Sequence, residues 1–405
     1  MSCFKIILKR NKEESLLRFH PWVFSGAIAS LPDALEEGDL VEVYSSDNHF
    51  LGTGHYQIGS IAVRVLSFRQ TDIDDAFWVE RIRAAYKLRC ALGLAVAANN
   101  NTYRLIHGEG DELPGLIIDI YGQTAVIQAH SVGMHRAKNI IAEALKSVLG
   151  DDLHHIYYKS EATLPFKADI DNENGYLFGG ETSNRVSTSD LDNIHIAYEK
   201  GLRFYVDWLK GQKTGFFIDQ RDNRLLLEQY ACKRSVLNMF CFTGSFSVYA
   251  MRGGAEIVHS VDSSSRAISL ATKNMELNFP GDQRHQAFAE DAFEYLTKMG
   301  DRYDLIILDP PAFAKHKNVV RNALQGYRKL NAIAIEKIKP GGIIFTFSCS
   351  QVISKQDFRL AVFSAAAQTG RGVRILHQLT QPADHPVNIY HPEGEYLKGL
   401  VLEVE

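Results

Sequence analysis

Val236-Leu237-Asn238-Met239-Phe240 is a short apolar run that leads through Cys241-Phe242-Thr243-Gly244 into Ser245-Phe246. This order predicts a strand, a tight turn at Gly244 and the start of a helix. The alternation continues from about Gly215 onward: residues 257–261, 303–308 and 343–347 are apolar runs, each followed by a segment of helical period. Strands alternating with helices make a parallel sheet covered on both faces, so the expectation is an α/β Rossmann-like domain. One more strand is expected over residues 396–404, after a long loop.

In an open sheet of this kind, ligands sit beyond the carboxyl ends of the strands. Asp262 and Ser263 follow the second strand, Asp291 the third, and Asp309-Pro310-Pro311 the fourth. A nicotinamide dinucleotide would need several glycines in the first turn, because its pyrophosphate approaches the helix N-terminus closely. Only Gly244 is present. A cofactor without phosphates needs less, and an acid at the end of the second strand can accept both ribose hydroxyls. S-adenosylmethionine fits that description. Asp262 or Asp291 alone reads more readily as a helix N-cap. Their joint placement after successive strands, with Asp309 after the next, favours a cofactor site.

The fifth strand runs into Ser348-Cys349-Ser350, which puts a thiol at the same rim as Asp309. A lone cysteine at a strand end is usually a buried small hydrophobe. Beside a methyl donor it has a chemical use. Carbon C5 of a pyrimidine is too weak a nucleophile to take a methyl group directly, and a thiolate adding at C6 makes C5 enolate-like. The base has to leave its stack to be reached.

Ahead of this domain, residues 5–9, 23–27, 40–44, 51–56 and 61–68 read as short strands between turn residues, which suggests a small β-barrel. A helix is expected over residues 75–94. Strands at 116–120, 125–129 and 156–159, with a helix near 134–149, make a central α+β domain. Residues 169–193 are polar and Gly-rich, a loop and hairpin before the last domain. The expected domains are residues 1–70, 75–195 and 196–405, a multidomain chain.

A length of 405 residues supports two or three domains, and 45% hydrophobic with 23% charged residues is a globular balance. A net charge of −4 and a pI near 6.4 give nucleic-acid binding no general support, so any RNA-facing basic surface is local. The apolar patch at residues 4–8 is cut short by Lys9 and Arg10, too soon for a signal peptide, and no apolar run reaches a membrane span. No membrane partner and a cytoplasmic location are expected. Cys3, Cys90, Cys232, Cys241 and Cys349 lack C-x-x-C spacing, so neither a metal site nor a disulfide framework is expected.

The chain resembles the bacterial large-subunit (23S) ribosomal RNA cytosine-C5 methyltransferases. The resemblance rests on residues 18–26 (Arg-Phe-His-Pro-Trp-Val-Phe-Ser-Gly), 110–119, 213–221, 238–246, Asp309-Pro310-Pro311-Ala312-Phe313, Phe347-Ser348-Cys349-Ser350 and Asp384-His385-Pro386. It implies a PUA domain, a central α+β domain and a class I methyltransferase domain. By that resemblance Gln220, Phe240, Thr243, Gly244, Asp262, Ser263, Asp291 and Asp309 surround S-adenosylmethionine, Cys349 is the nucleophile and Asp309 assists it. Arg18, His20, Trp22 and Arg64 become RNA contacts of the PUA segment, although Trp22 and Phe24 read equally as barrel core. Large-subunit ribosomal RNA is the implied partner, and a homodimer is left open. Two positions depart from the pattern. Ala312 stands where many RNA cytosine methyltransferases carry a second Cys, which leaves His385 and Glu393 as candidates for product release, and Ser245 stands where close relatives often have Gly. The alternatives are a guanine or adenine N-methyltransferase and a non-catalytic ribosome-assembly module. Asp-Pro-Pro followed directly by an aromatic would favour the former, but Ala312 intervenes before Phe313.

Overall fold

Seven strands form the sheet, six of them marked in the sequence and one, β6, not: β1 (Ser235–Met239), β2 (Ile257–Asp262), β3 (His285–Ala289), β4 (Leu305–Leu308), β5 (Gly342–Ser348), β6 (Val373–Leu379) and β7 (Lys398–Val404). Their order is β3-β2-β1-β4-β5-β7-β6. The first five run parallel, and β7 is antiparallel to both β5 and β6. Strand order reverses between β1 and β4, the place where such sheets hold ligands. β4 and β5 are buried at every residue, as expected of predominantly apolar strands covered on both faces. Helices Val320–Lys337 and Lys355–Thr369 cover one face, burying Leu330, Ile335, Phe358 and Val362. Each such side chain stabilises the fold by about 1.5–3 kcal/mol.

The computed structural model describes residues 3–165, 170, 173–180, 195–300, 302–314 and 316–405. The chain divides into two compact units, Met1–Lys200 with Val206–Ile218 and Ala383–Gly394, and Gly201–Tyr205 with Asp219–Pro382 and Glu395–Glu405. The seven-stranded sheet belongs to the second. Among the described residues, no helix is long and apolar enough to cross a membrane.

The first unit holds two sheets. Six strands pair in the order Trp22–Phe24, Ile61–Ser67, Phe50–Tyr56, Leu40–Tyr44, Phe4–Leu8, Ile28–Ser30. The strand expected at 23–27 is shorter than its apolar run: Ser25–Ala27 turn as a 3-10 helix before the short strand Ile28–Ser30. The second sheet has five strands, ordered Gly175–Phe178, His155–Tyr158, Thr124–Ala129, Leu116–Tyr121, Thr102–His107. Helices Asp75–Ala91 and Lys138–Leu149 bury Trp78, Ile82, Ile141 and Leu145 in the same core as its strands. Apart from Gly175–Phe178 and its near neighbours, the loop and hairpin expected over 169–193 lie outside the described residues.

Several quoted motif residues prove to be framework. Asp119 is fully buried, holds Arg104 through bonds of 2.8 and 2.9 Å, and accepts the Thr214 hydroxyl at 2.6 Å. Asp384, also buried, accepts the backbone N–H of Arg104 at 3.0 Å, and its carbonyl accepts from Arg89 at 2.9 Å. Gly110 lets Pro386 approach: a Cβ there would lie 1.9 Å from the Pro386 carbonyl oxygen. Gly110→Ala is therefore expected to destabilise the fold by about 1–3 kcal/mol through overpacking. Equilibrium denaturation checks this, and an unchanged midpoint would refute the close approach.

Candidate active site

All of this site lies in the second unit, at the carboxyl ends of β2, β1, β4 and β5. The turn after β1 has an unusual backbone: φ is 57° at Phe240, 48° at Phe242 and 76° at Gly244. Left-handed conformations at two bulky residues are strain that the surroundings must over-determine. Asp262, the last residue of β2, does so. Its Oδ2 accepts the backbone N–H of Phe242 and its Oδ1 that of Ser264, both at 2.9 Å. At Gly244 a Cβ would meet the Ala271 Cβ at 2.8 Å, so both φ and space require glycine.

Thr243 supplies a direct test of whether a polar ligand fits this turn. It is buried, its carbonyl accepts from Asn274 at 2.8 Å, and its Oγ1 has no hydrogen-bond partner among the described residues. An unsatisfied buried hydroxyl costs about 1–3 kcal/mol. A ligand with hydroxyl and amino groups, such as S-adenosylmethionine, can satisfy it. Each Asp262 oxygen accepts one backbone bond and retains a second lone pair for a ribose hydroxyl. The residues present fit the cofactor.

The capping alternative divides the two acids. The N-cap after β2 is Ser264, whose Oγ accepts the Ala267 N–H at 3.2 Å, so Asp262 is free of that duty. Asp291 is exposed and is itself the N-cap of Ala292–Lys298, accepting the Glu294 N–H at 3.0 Å. Ser263 is exposed, while Phe240 is half-buried beside the core of this unit.

Asp309 follows β4. Gln220, buried just before helix Arg221–Tyr230, donates to Asp309 Oδ2 at 3.0 Å and accepts from Asn223 at 2.6 Å, which fixes its amide. Cys349 follows β5 and is half-buried between fully buried Ser348 and Ser350. Ser348 donates to the Tyr327 hydroxyl at 2.9 Å. The Ser350 hydroxyl donates to the Ala314 carbonyl at 2.9 Å and accepts its N–H at 3.2 Å. These bonds stitch the loop that carries Asp309 to the loop that carries Cys349. Cys241 is different: burial, with Asp262 adding to it, pushes its thiol well up, so it stays protonated and unreactive.

Lys398 is a site residue that the sequence reading missed. It opens β7 opposite Ser348, is buried, and donates from Nζ to the carbonyls of Ser350 at 2.5 Å and Ile353 at 2.7 Å. The available signal was a lysine inside the apolar run Tyr396-Leu397-Lys398-Gly399-Leu400.

In the first unit, the four residues singled out for RNA contact differ in exposure. Arg18 is exposed and paired with Glu14 at 2.5 Å. Trp22 is half-buried, donates to Glu109 at 2.8 Å and pairs in register with half-buried Arg64. Phe24 is 47% exposed, so the barrel-core reading fails for it. His20, His391 and Glu393 bring two ring nitrogens and a carboxylate oxygen within 4.8 Å of one another. His20 Nδ1 accepts the Trp22 backbone N–H at 3.2 Å, and Nε2 lies 3.4 Å from Glu393. His385 is buried in this unit beside Asp384, 3.1 Å away, and its ring lies 4.9 Å from that of His107.

Comparison with known proteins gives a consistent result. A PUA-like domain model matches residues 6–68, and an S-adenosylmethionine-dependent methyltransferase model matches residues 179–394. The chain is 37% identical to ribosomal RNA large subunit methyltransferase I of Aeromonas hydrophila, over 98% of each. It is 38% identical to the protein of the same name in Pseudoalteromonas atlantica, over 99% of each. Among solved structures, a candidate methyltransferase from Streptococcus mutans superposes with a TM-score of 0.82 at 24% identity, over 99% of this chain and 100% of that one. A candidate methyltransferase complexed with SAH gives 0.84 at 24% identity with the same coverage. These two show the shared fold.

Proposed function

The chain belongs to the S-adenosylmethionine-dependent methyltransferase family, and from that premise we propose that it forms 5-methylcytosine in large-subunit (23S) ribosomal RNA with Cys349 as covalent nucleophile. The RNA substrate rests on the name its relatives carry. The observation that carries the chemistry is the half-buried Cys349 thiol on a loop bonded through Ser350 to the loop of Asp309. Residues 1–70 serve as the RNA-docking module, with exposed Arg18 a contact, and the part of residues 196–405 that forms the second unit serves as the catalytic domain.

Bound S-adenosylmethionine supplies an electrophilic methyl group. Asp262 and Thr243 hold its polar groups at the turn after β1, where Gly244 leaves room. Cys349 Sγ, as thiolate, bonds to C6 of a flipped cytosine and turns C5 into the carbon nucleophile. Asp309, oriented by Gln220 through Oδ2, carries a proton on its other oxygen and donates it in a hydrogen bond to ring N3, where the addition displaces negative charge. Once C5 carries the methyl group, its proton passes to water, which re-forms the C5–C6 double bond and expels the thiolate.

Mass-spectrometric mapping of ribosomal RNA from a strain lacking the gene tests this reading. One 5-methylcytosine of the large subunit should disappear and return on complementation. Disappearance of an N-methylated guanine or adenine instead would overturn it.

A further inference from the structure

We propose that Lys398 activates Cys349, its ammonium group stabilising the thiolate that attacks the base; this rests on Cys349 being the nucleophile. Lys398 acts through the thiol and is a positioning residue. Its place follows from the sheet. β7 runs antiparallel to β5 with Lys398 opposite Ser348, so the lysine lies level with the strand end at which the thiol emerges. Its Nζ is fixed by two carbonyls, Ser350 at 2.5 Å and Ile353 at 2.7 Å, which belong to the turn that begins at Cys349. An ammonium has three donors, so these bonds leave the third. A buried cation costs free energy unless an anion or dipoles compensate. Two carbonyls supply part of that compensation, and a thiolate one residue from the first supplies the rest.

Two of the other charged groups that act on Lys398 offset each other. Lys355 and Glu395, which both act on Lys398, pair together at 2.7 Å. Tyr327 senses Cys349 from helix Val320–Lys337 but is held neutral, because burial raises its pKa. Asp309 follows the neighbouring strand with Oδ2 bonded to Gln220. Burial draws Lys398 down to about 8, and the charge of Cys349 acts in the opposite direction, as expected of an ion pair in the making. The proton given up by Sγ leaves to solvent while Lys398 keeps its own. A thiol beside a cation titrates below the ordinary range of about 8.5.

The test is the rate of iodoacetamide alkylation of Cys349 against pH, read on its own peptide by mass spectrometry in the full-length protein. In wild type the midpoint should lie below about 8. In Lys398→Met it should rise by roughly one unit or more, and in Lys398→Arg, which keeps the charge, it should return towards wild type. S-adenosylmethionine affinity by calorimetry establishes that each variant is folded. A wild-type midpoint at or above about 8.5 overturns the proposal without any variant, as does an unchanged midpoint in a folded Lys398→Met protein. The underlying reading fails separately: if Cys349→Ala methylates RNA normally, the thiol is no nucleophile, whatever its titration shows.

Discussion

Cys349→Ala should lose methylation by roughly four orders of magnitude or more while binding S-adenosylmethionine as wild type does. The size of the loss follows from the chemistry. Without a bond at C6, cytosine C5 has no path to sufficient nucleophilicity, and the remaining groups of the site can only position the base. The retained affinity follows from location, since the proposed cofactor groups lie on β2 and the turn after β1, and Cys349 follows β5. RNA containing 5-fluorocytosine gives a second readout. Fluorine at C5 cannot leave as a proton does, so wild type should form a denaturation-resistant adduct and Cys349→Ala should form none. Cys241→Ala should keep the adduct, because the Cys241 thiol is held protonated by burial. Wild-type turnover by Cys349→Ala would remove the covalent mechanism and put amino-group methylation first.

The centre of the catalytic sheet could be read from sequence because β1, β4 and β5 are buried on both faces and so remain predominantly apolar runs. The sheet edges were less legible. β3, His-Gln-Ala-Phe-Ala, was marked by the acid that follows it, Asp291, and not by an apolar run, and β6, with four exposed residues of seven, was not marked at all; both are only partly covered, which relaxes the apolar demand that marks a strand. The site followed the same division. Residues at ends of central strands, Asp262, Asp309 and Cys349, announce themselves by interrupting apolar runs. The bonds of Gln220 to Asp309 and of Tyr327 to Ser348 join segments far apart in sequence, which no local pattern encodes. Asp384 and Gly110 were recognisable as motif residues, but only the structure shows that they hold the chain together within the first unit.

Asp262→Ala should weaken S-adenosylmethionine binding by about 3 kcal/mol or more, beyond a hundredfold in Kd, because two charge-assisted hydrogen bonds to a ribose contribute about 1.5–3 kcal/mol each. A second loss adds to the first. The same carboxylate holds the Phe242 and Ser264 backbone N–H groups, so its removal also releases the turn in which Thr243 and Gly244 are set. The domain should stay folded, since the following helix keeps its own cap at Ser264. Asp262→Asn should fall between, because an amide retains one acceptor oxygen and presents donors where the other was. Asp291→Ala separates cofactor contact from capping: loss of the cap bond to Glu294 should cost about 1 kcal/mol of stability. Calorimetric titration and denaturation on all three decide the matter. If Asp262→Ala binds as wild type does, the ribose assignment is wrong. If Asp291→Ala weakens binding without loss of stability, Asp291 holds the cofactor rather than the helix.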